Sequence, residues 1–218
     1  MTKNIFIASA EPYTGKSVIA FGLINMLLSK TQKVGYFKPI IAQEDADHKE
    51  QHIEALLDFF NLPINYSDTF AFTRQQVLHQ PQPENSSEII DTIISKYKKA
   101  EENYEFTVIE GSDFLGEGTA FEFESNVLIA KNLAAPVLIV VTGEHKSTAQ
   151  VVNTAINIYR NFYSRDVQVL GVVVNMVKQE NVEDVKQLLI AQLPAGIMLT
   201  VIPMENGLQS PTMKEITD

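Results

Sequence analysis

Near its start the chain reads Ile5-Phe6-Ile7-Ala8-Ser9-Ala10-Glu11-Pro12-Tyr13-Thr14-Gly15-Lys16-Ser17. A short apolar run leads into turn-forming residues, and residues 18–30 that follow carry apolar side chains at helical spacing. A strand, a loop and a helix in this order, with Gly-Lys-Ser at the helix start, form the context in which a loop binds phosphate. The backbone N–H groups of such a loop and the positive end of the helix dipole face the anion.

Four residues at the end of this loop are predicted to bind the phosphate groups of a nucleotide: Thr14, Gly15, Lys16 and Ser17. The lysine adds a mobile positive charge, and the serine hydroxyl is a ligand for Mg²⁺. The loop departs from the full pattern G-x-x-x-x-G-K-[ST], because Ala10 stands at the first glycine position and Pro12 has no N–H to donate. An ordinary turn between a strand and a helix is the alternative interpretation.

Strand-like apolar runs alternate with helical patterns along the rest of the chain. The strand-like runs cover residues 3–9, 34–37, 106–110, 136–142, 167–174 and 197–202. The helical patterns cover residues 16–30, 50–60, 86–102, 123–133, 147–162 and 181–192. Runs such as 137–141 are apolar at every position, which is typical of parallel strands covered by helices on both faces. The prediction is an α/β fold with three layers, doubly wound around a mostly parallel sheet. Residues 61–85, which contain three prolines, are predicted to be irregular.

Polar residues at the ends of the predicted strands are candidates for the site, because ligands of such sheets bind at the carboxyl ends of the strands. Lys38 is predicted to contact a phosphate or carboxylate, the alternative being a solvated lysine before a proline turn. Glu110 ends a buried strand, where a carboxylate requires a cation or hydrogen-bond donors, and is predicted to bind Mg²⁺ or to pair with Lys16. Asn175 ends another strand, and its amide suits the edge of a nucleobase. Residues 143–146 follow the strand predicted at 136–142 and are expected at the same edge of the sheet.

The acidic loop of residues 42–52 is predicted to supply a further Mg²⁺ ligand, directly or through water. Asp47 is assigned to this role, and Asp45 and Glu50 are alternatives between which the sequence does not decide. His48 and His52 are four residues apart, a spacing that allows two ligands of one metal ion. A solvated, carboxylate-rich helix N-terminus explains the same residues without a metal.

Composition limits the classes of partner and compartment. The 218 residues suit one domain with a substantial core, and the formal net charge is −10. No run of basic residues is longer than two, so nucleic acid and anionic membranes are not expected partners. The sequence shows no signal-peptide pattern, no apolar stretch that could span a bilayer and no cysteine, which is compatible with the cytoplasm. Residues 1–204 are predicted to form the nucleotide-binding domain, and residues 205–218 the start of a linker to a following domain.

With these residues, the chain resembles the dethiobiotin-synthetase-like family of phosphate-loop proteins. It resembles more closely the N-terminal domain of long-form phosphate acetyltransferases. Three stretches carry the resemblance: Gly35-Tyr36-Phe37-Lys38-Pro39-Ile40, Val108-Ile109-Glu110-Gly111-Ser112-Asp113-Phe114 and Phe123-Glu124-Ser125-Asn126-Val127-Leu128-Ile129-Ala130-Lys131-Asn132-Leu133. The third, followed by Ala-Pro-Val at 135–137, is the most specific to the phosphate acetyltransferase type. Pro203 together with residues 210–216 is similar to the lead-in to that protein's next module.

The resemblance implies a P-loop NTPase-like fold that binds ATP or another nucleotide with Mg²⁺. It implies that Lys16 and Ser17 lie at the phosphates, that Glu110 is a magnesium ligand and that Asn175 contacts the base. Lys38 matches a substrate-contacting lysine and is the candidate catalytic residue. In phosphate acetyltransferases this domain is implied to act in regulation or in assembly into a homo-oligomer. Acetyl transfer between coenzyme A and phosphate is implied to belong to a separate C-terminal domain.

Two other functions stay open on the sequence. One is an ATP- and Mg²⁺-dependent carboxylase or ligase of dethiobiotin synthetase type, and the other is a non-hydrolysing interaction module. Ala42, where those synthetases carry a serine, and Phe114, where they carry a small residue, argue against the enzyme. Ala10 and Pro12 favour the interaction module. Glu11 stands where partition-type ATPases of the same superfamily carry a signature lysine, so their switching mechanism is not expected.

Overall fold

The computed structural model describes residues 3–42, 49–79, 86–112 and 119–205. Its strands are β1 (Lys3–Ala8), β2 (Val34–Phe37), β3 (Ile40–Ile41), β4 (Phe72–Thr73), β5 (Phe106–Glu110), β6 (Val137–Thr142), β7 (Val169–Val177) and β8 (Met198–Pro203). Its α-helices are α1 (Lys16–Leu28), α2 (Gln51–Phe60), α3 (Arg74–Leu78), α4 (Ser86–Glu101), α5 (Thr119–Asn132), α6 (Thr148–Tyr163) and α7 (Val182–Ile190). Short 3₁₀ turns cover Tyr66–Asp68 and Gln179–Asn181.

A six-stranded parallel sheet forms the centre of the described part of the chain. The strand order is β2-β5-β1-β6-β7-β8, and every neighbouring pair runs parallel. The strands β3 and β4 form a separate parallel pair. Parallel strands need long crossovers, and the helices between them provide these connections.

Two apolar cores lie on the two faces of the sheet. On one face, α1 and α2 pack against alternate residues of β1, β2 and β5. On the other face, α4, α5, α6 and α7 pack against the other residues of these strands and against residues of β6 and β7. The predicted doubly wound, three-layer α/β fold is therefore confirmed. Because β1 leads to one face while β5 and β6 lead to the other, a crevice opens at the carboxyl end of β1.

The irregular structure predicted for residues 61–85 is wrong for residues 72–78. Residues 72–73 pair with β3, and α3 follows directly. Thr73 caps α3 through a bond from the Gln76 backbone N–H to its hydroxyl, while the Gln76 side chain accepts from the Thr73 N–H. These elements are too short for a periodic pattern to reveal them. The proline pair at 81 and 83 lies outside the described residues.

Two further boundaries differ from those expected. The strand β7 continues to Val177, with a register shift between Val174 and Val177. Asn175 therefore lies inside this strand, opposite Thr142 of β6. The helix α5 begins at Thr119 rather than near residue 123. Among the described residues, none of the helices has both the length and the apolar composition to cross a membrane.

Candidate functional site

The phosphate loop, residues 9–15, joins β1 to α1 at the carboxyl edge of the sheet. Gly15 has a φ of 83° and immediately precedes α1, so its backbone lies in the left-handed region that favours glycine. A Cβ atom added there would lie 2.4 Å from Asn175 Nδ2, closer than side-chain atoms approach each other. The same amide nitrogen donates a hydrogen bond to the Thr14 carbonyl at 3.1 Å. Asn175 therefore positions the end of the phosphate loop.

Lys16 begins α1, and its side chain is buried beside the phosphate loop. The Nζ atom donates to Ser9 Oγ at 3.2 Å and to the Ser112 carbonyl at 3.1 Å. The Ser9 hydroxyl in turn donates to the Glu11 carbonyl at 2.9 Å. These contacts hold the ammonium group between the loop after β1 and the loop after β5.

Glu110 is completely buried at the end of β5, and both of its carboxylate oxygens accept hydrogen bonds. Ser17 Oγ donates to Oε1 at 2.9 Å, and the Tyr36 hydroxyl donates to Oε2 at 2.9 Å. The strands β1 and β5 are neighbours in the sheet, which brings α1 and the end of β5 together. The structure thus places Lys16, Ser17 and Glu110, which the sequence singled out separately, in one site.

Lys38 follows β2 and is buried between two carboxylates. Its Nζ atom lies 2.5 Å from Glu50 Oε1 and 3.6 Å from Glu110 Oε1. The His52 ring also joins the two acids, with Nδ1 3.1 Å from Glu50 Oε1 and Nε2 3.5 Å from Glu110 Oε1. A solvated Lys38, the alternative drawn from the sequence, is wrong, because the residue is only 1% exposed.

The donor set fits a magnesium ion bound together with a nucleotide. Ser17 Oγ and Glu110 Oε1 are 2.9 Å apart, and Mg²⁺ commonly takes one or two protein oxygens with phosphate and water as its other ligands. The hydroxyls of Thr14, in the phosphate loop, and of Ser112, whose carbonyl accepts from Lys16, are buried without a hydrogen-bond partner in the described structure. Such groups are costly unless a ligand satisfies them. A nucleotide with its metal ion is a ligand with suitable acceptors.

The further acid predicted for the metal site lies in the loop of residues 42–52, of which the structure describes residues 42 and 49–52. Asp45, Asp47 and His48 lie outside the described residues, so their predicted roles stay predictions. Glu50 is among the described residues, and its carboxylate contacts Lys38 and the His52 ring. The same ring lies close to Glu110. Within the described ranges, no three His, Asp or Glu side chains are arranged to hold a metal ion by themselves.

Asn126 lies at the site but is not among the residues predicted from the sequence. It is fully buried on α5, its Oδ1 accepts from the Ser112 backbone N–H at 3.0 Å, and its Nδ2 donates to the Ser112 carbonyl at 3.4 Å. That same carbonyl accepts from Lys16. The signal in the sequence is an amide in a helix whose buried side is mostly apolar but also carries Ser125.

Asn126→Ala is expected to lower the free energy of unfolding by about 1–3 kcal/mol, because the buried Ser112 N–H loses its acceptor. Nucleotide binding should also weaken, since the carbonyl that holds Lys16 is released. Thermal unfolding and calorimetric titration measure the two effects. Asn132→Ala is the matched control, because this residue is exposed at the end of α5 and its amide donates to the Leu128 carbonyl of the same helix. Unchanged nucleotide affinity in a folded Asn126→Ala variant would contradict the assignment.

Comparison with known proteins shows the family of the chain and relatives of its fold. The AAA domain family matches residues 3–212. The chain is 33% identical over 99% of its length to phosphate acetyltransferase of Nitratidesulfovibrio vulgaris, of which it spans 31%, in the N-terminal part. It is 25% identical, over 84% of its length, to ATP-dependent dethiobiotin synthetase BioD of Caldicellulosiruptor saccharolyticus, with 77% of that protein covered. A chain of the MinC:MinD cell division protein complex from Aquifex aeolicus superposes with a TM-score of 0.55 at 18% identity, covering 95% of this chain and 84% of that one.

Proposed function

The chain belongs to the family of AAA domains, and we propose that it binds ATP with Mg²⁺ as the regulatory or assembly domain of a phosphate acetyltransferase. It is a P-loop nucleotide-binding domain related to the N-terminal region of phosphate acetyltransferases and to dethiobiotin synthetase. The chain spans about a third of the length of the acetyltransferases that it matches. Acetyl transfer itself is therefore proposed to belong to a domain outside these residues.

One observation carries the proposal: Lys16, Ser17 and Glu110 meet at the carboxyl edge of β1 and β5. Lys16 is placed to neutralise charge on the terminal phosphates once its bonds to Ser9 and Ser112 are exchanged. Ser17 and Glu110 would hold the Mg²⁺ ion. When bound, the ion offsets phosphate charge and orients the phosphate chain. The Thr14 hydroxyl is proposed to bind phosphate oxygens.

Asn175 supports adenine as the base. Its Nδ2 donates to the Thr14 carbonyl, so Oδ1 is left as the stronger candidate for a contact with the base. An amide oxygen accepts from the amino group at position 6 of adenine, whereas guanine presents an acceptor there. We therefore expect ATP and ADP to bind more tightly than GTP.

The contacts of Lys38 bear on the alternative function, an ATP-dependent carboxylase. A lysine at the end of β2 and close to the magnesium carboxylate Glu110 is the arrangement that a substrate-contacting catalytic lysine requires. Its ammonium is held by Glu50, however, so an anionic substrate group would have to displace an ion pair. We therefore propose that Lys38 and Glu50 chiefly balance the charge of the metal site. We also propose Glu50, rather than Asp47, as the second carboxylate of the Mg²⁺ site.

The remainder of the polypeptide and the assembly are also proposals. We propose that residues 1–204 form the nucleotide domain and that residues 205–218 begin the connection to a C-terminal acetyltransferase domain. The N-terminal position of the match in the related acetyltransferases supports this arrangement. Association into a homo-oligomer is proposed from the same relationship.

Assays of two activities separate the proposal from the enzyme alternative. In the full-length protein, ATP is expected to change the acetyl-CoA concentration that half-saturates acetyl transfer by about fivefold or more, within the usual range of allosteric coupling. The isolated chain is expected to form no carboxylated product from a diamine, bicarbonate and ATP. Acetyl transfer that ATP leaves unchanged would contradict the regulatory role. ATP-dependent carboxylation of the diamine would instead show that the chain is an enzyme of dethiobiotin synthetase type.

A further inference from the structure

An ion pair joins the two sides of the crevice at the carboxyl edge of the sheet. Glu11 lies in the phosphate loop after β1, and Lys146 lies in the loop after β6, the neighbouring strand. Lys146 Nζ contacts Glu11 Oε2 directly, across 135 residues of sequence. Because β1 leads to α1 on one face and β6 leads to α6 on the other, this contact crosses the position where open α/β sheets bind ligands.

Lys146 is presented from a firmly held loop. Its backbone N–H donates to the Gly143 carbonyl at 3.3 Å, and the Gly143 N–H donates to the Asn175 carbonyl at 2.7 Å. The next residue, Ser147, caps α6 through a reciprocal pair of bonds with Gln150. The Lys146 side chain remains partly exposed at 19%, so its ammonium can reach a ligand in the crevice.

Glu11 is coupled to the predicted phosphate lysine. Its carbonyl accepts from Ser9 Oγ, and the same hydroxyl accepts from Lys16 Nζ. A carboxylate in a loop that binds polyphosphate repels its ligand. Lys146 offsets that repulsion, and an incoming phosphate offers the ammonium a more highly charged partner than one carboxylate.

We propose that Lys146 is a second phosphate-binding lysine of this site and that Glu11 competes with phosphate for its ammonium group. The ligand class is the polyphosphate chain of a nucleotide, so the inference rests on the proposed function. On binding, Lys146 exchanges Glu11 for a phosphate oxygen, and the Glu11 carboxylate turns to solvent.

A purely structural brace would behave differently when its two halves are changed. If the pair only ties two loops together, removal of either partner weakens binding. If Glu11 competes with phosphate for Lys146, neutralising Glu11 strengthens binding and neutralising Lys146 weakens it. The sign of the Glu11 effect therefore distinguishes the two.

Calorimetric titration of the chain with Mg²⁺·ATP, and separately with inorganic tripolyphosphate, tests the proposal. Glu11→Gln is expected to tighten both by about three- to tenfold, and Lys146→Met to weaken both by about tenfold. Lys146→Arg should stay within about twofold of the unmodified chain, because the charge is kept. Raising the salt concentration should shrink these differences.

Asp166→Asn and Lys131→Met are matched controls, because they neutralise an exposed lysine–carboxylate pair, 3.7 Å apart, that is remote from the phosphate loop. Both should leave ATP affinity unchanged. Weaker ATP binding by Glu11→Gln, or unchanged binding by a folded Lys146→Met, would overturn this inference alone. No ATP binding by either the unmodified chain or Glu11→Gln would overturn the proposed function and this inference with it.

Discussion

Gly15→Ala is expected to abolish measurable nucleotide binding and to lower the free energy of unfolding by about 1–3 kcal/mol. The new Cβ would meet Asn175 Nδ2 at 2.4 Å, and a φ of 83° is strained for alanine. Relief of the clash has to move either the phosphate loop or the amide that holds the Thr14 carbonyl. Because Lys16 follows directly, the displacement reaches the amine that is proposed to bind phosphate. Calorimetric titration and thermal unfolding measure the two effects.

Gly22→Ala is the matched control in the same helix. A Cβ at Gly22 has no neighbouring atom within 4 Å, and the residue lies on the exposed side of α1. Alanine in a helix interior is more favourable than glycine by about 0.5–1 kcal/mol, so this variant should be slightly more stable and bind nucleotide normally. Gly15→Ala with the affinity of Gly22→Ala would show that the phosphate loop does not bind the ligand.

Glu110→Gln is expected to remove the Mg²⁺ dependence of ATP binding. The unmodified chain should bind ATP about tenfold or more tightly with Mg²⁺ than with a chelator, and the variant should show little difference. Glutamine keeps the size of the side chain but has no charge for a metal ion. The substitution also leaves Lys38 with one carboxylate fewer in a buried site, so some loss of stability accompanies it.

Glu105→Gln serves as the control for this change. Glu105 directly precedes β5, so it lies at the opposite end of the strand from Glu110, and its exposed carboxylate accepts a bond from Thr31 Oγ1 at 2.7 Å. Its removal should leave the magnesium effect intact. A full magnesium effect in Glu110→Gln would exclude Glu110 as a ligand and would favour acids of the loop at 42–52.

The features that could be predicted from the sequence are those with a local pattern. Gly15, Lys16 and Ser17 follow an apolar strand and begin a helix, so their placement needed no tertiary information. Glu110 was assigned to the site because an acid at the end of a buried strand requires a partner, and Ser17 and Tyr36 are the hydrogen-bond donors. The continuous apolar run of β6 likewise indicated a strand buried on both faces.

The features that escaped prediction depend on contacts between distant segments. Two-residue strands such as β4 form only because β3 lies beside them, and no periodicity marks them. Asn126 acts on a backbone group 14 residues away, and Lys146 meets Glu11 across 135 residues. Neither contact produces a regular spacing of residues that can be recognised in a single sequence.

Titration calorimetry of the chain with ATP in the presence of Mg²⁺, with Lys16→Ala alongside, tests directly whether the phosphate loop binds a nucleotide. Lys16 is buried beside the phosphate loop and donates hydrogen bonds to Ser9 and Ser112. We expect micromolar binding by the unmodified chain and a loss of about a hundredfold or more in the folded variant. Absence of binding to the unmodified chain, or equal affinity in Lys16→Ala, would contradict a working nucleotide site and favour an interaction module on the same fold.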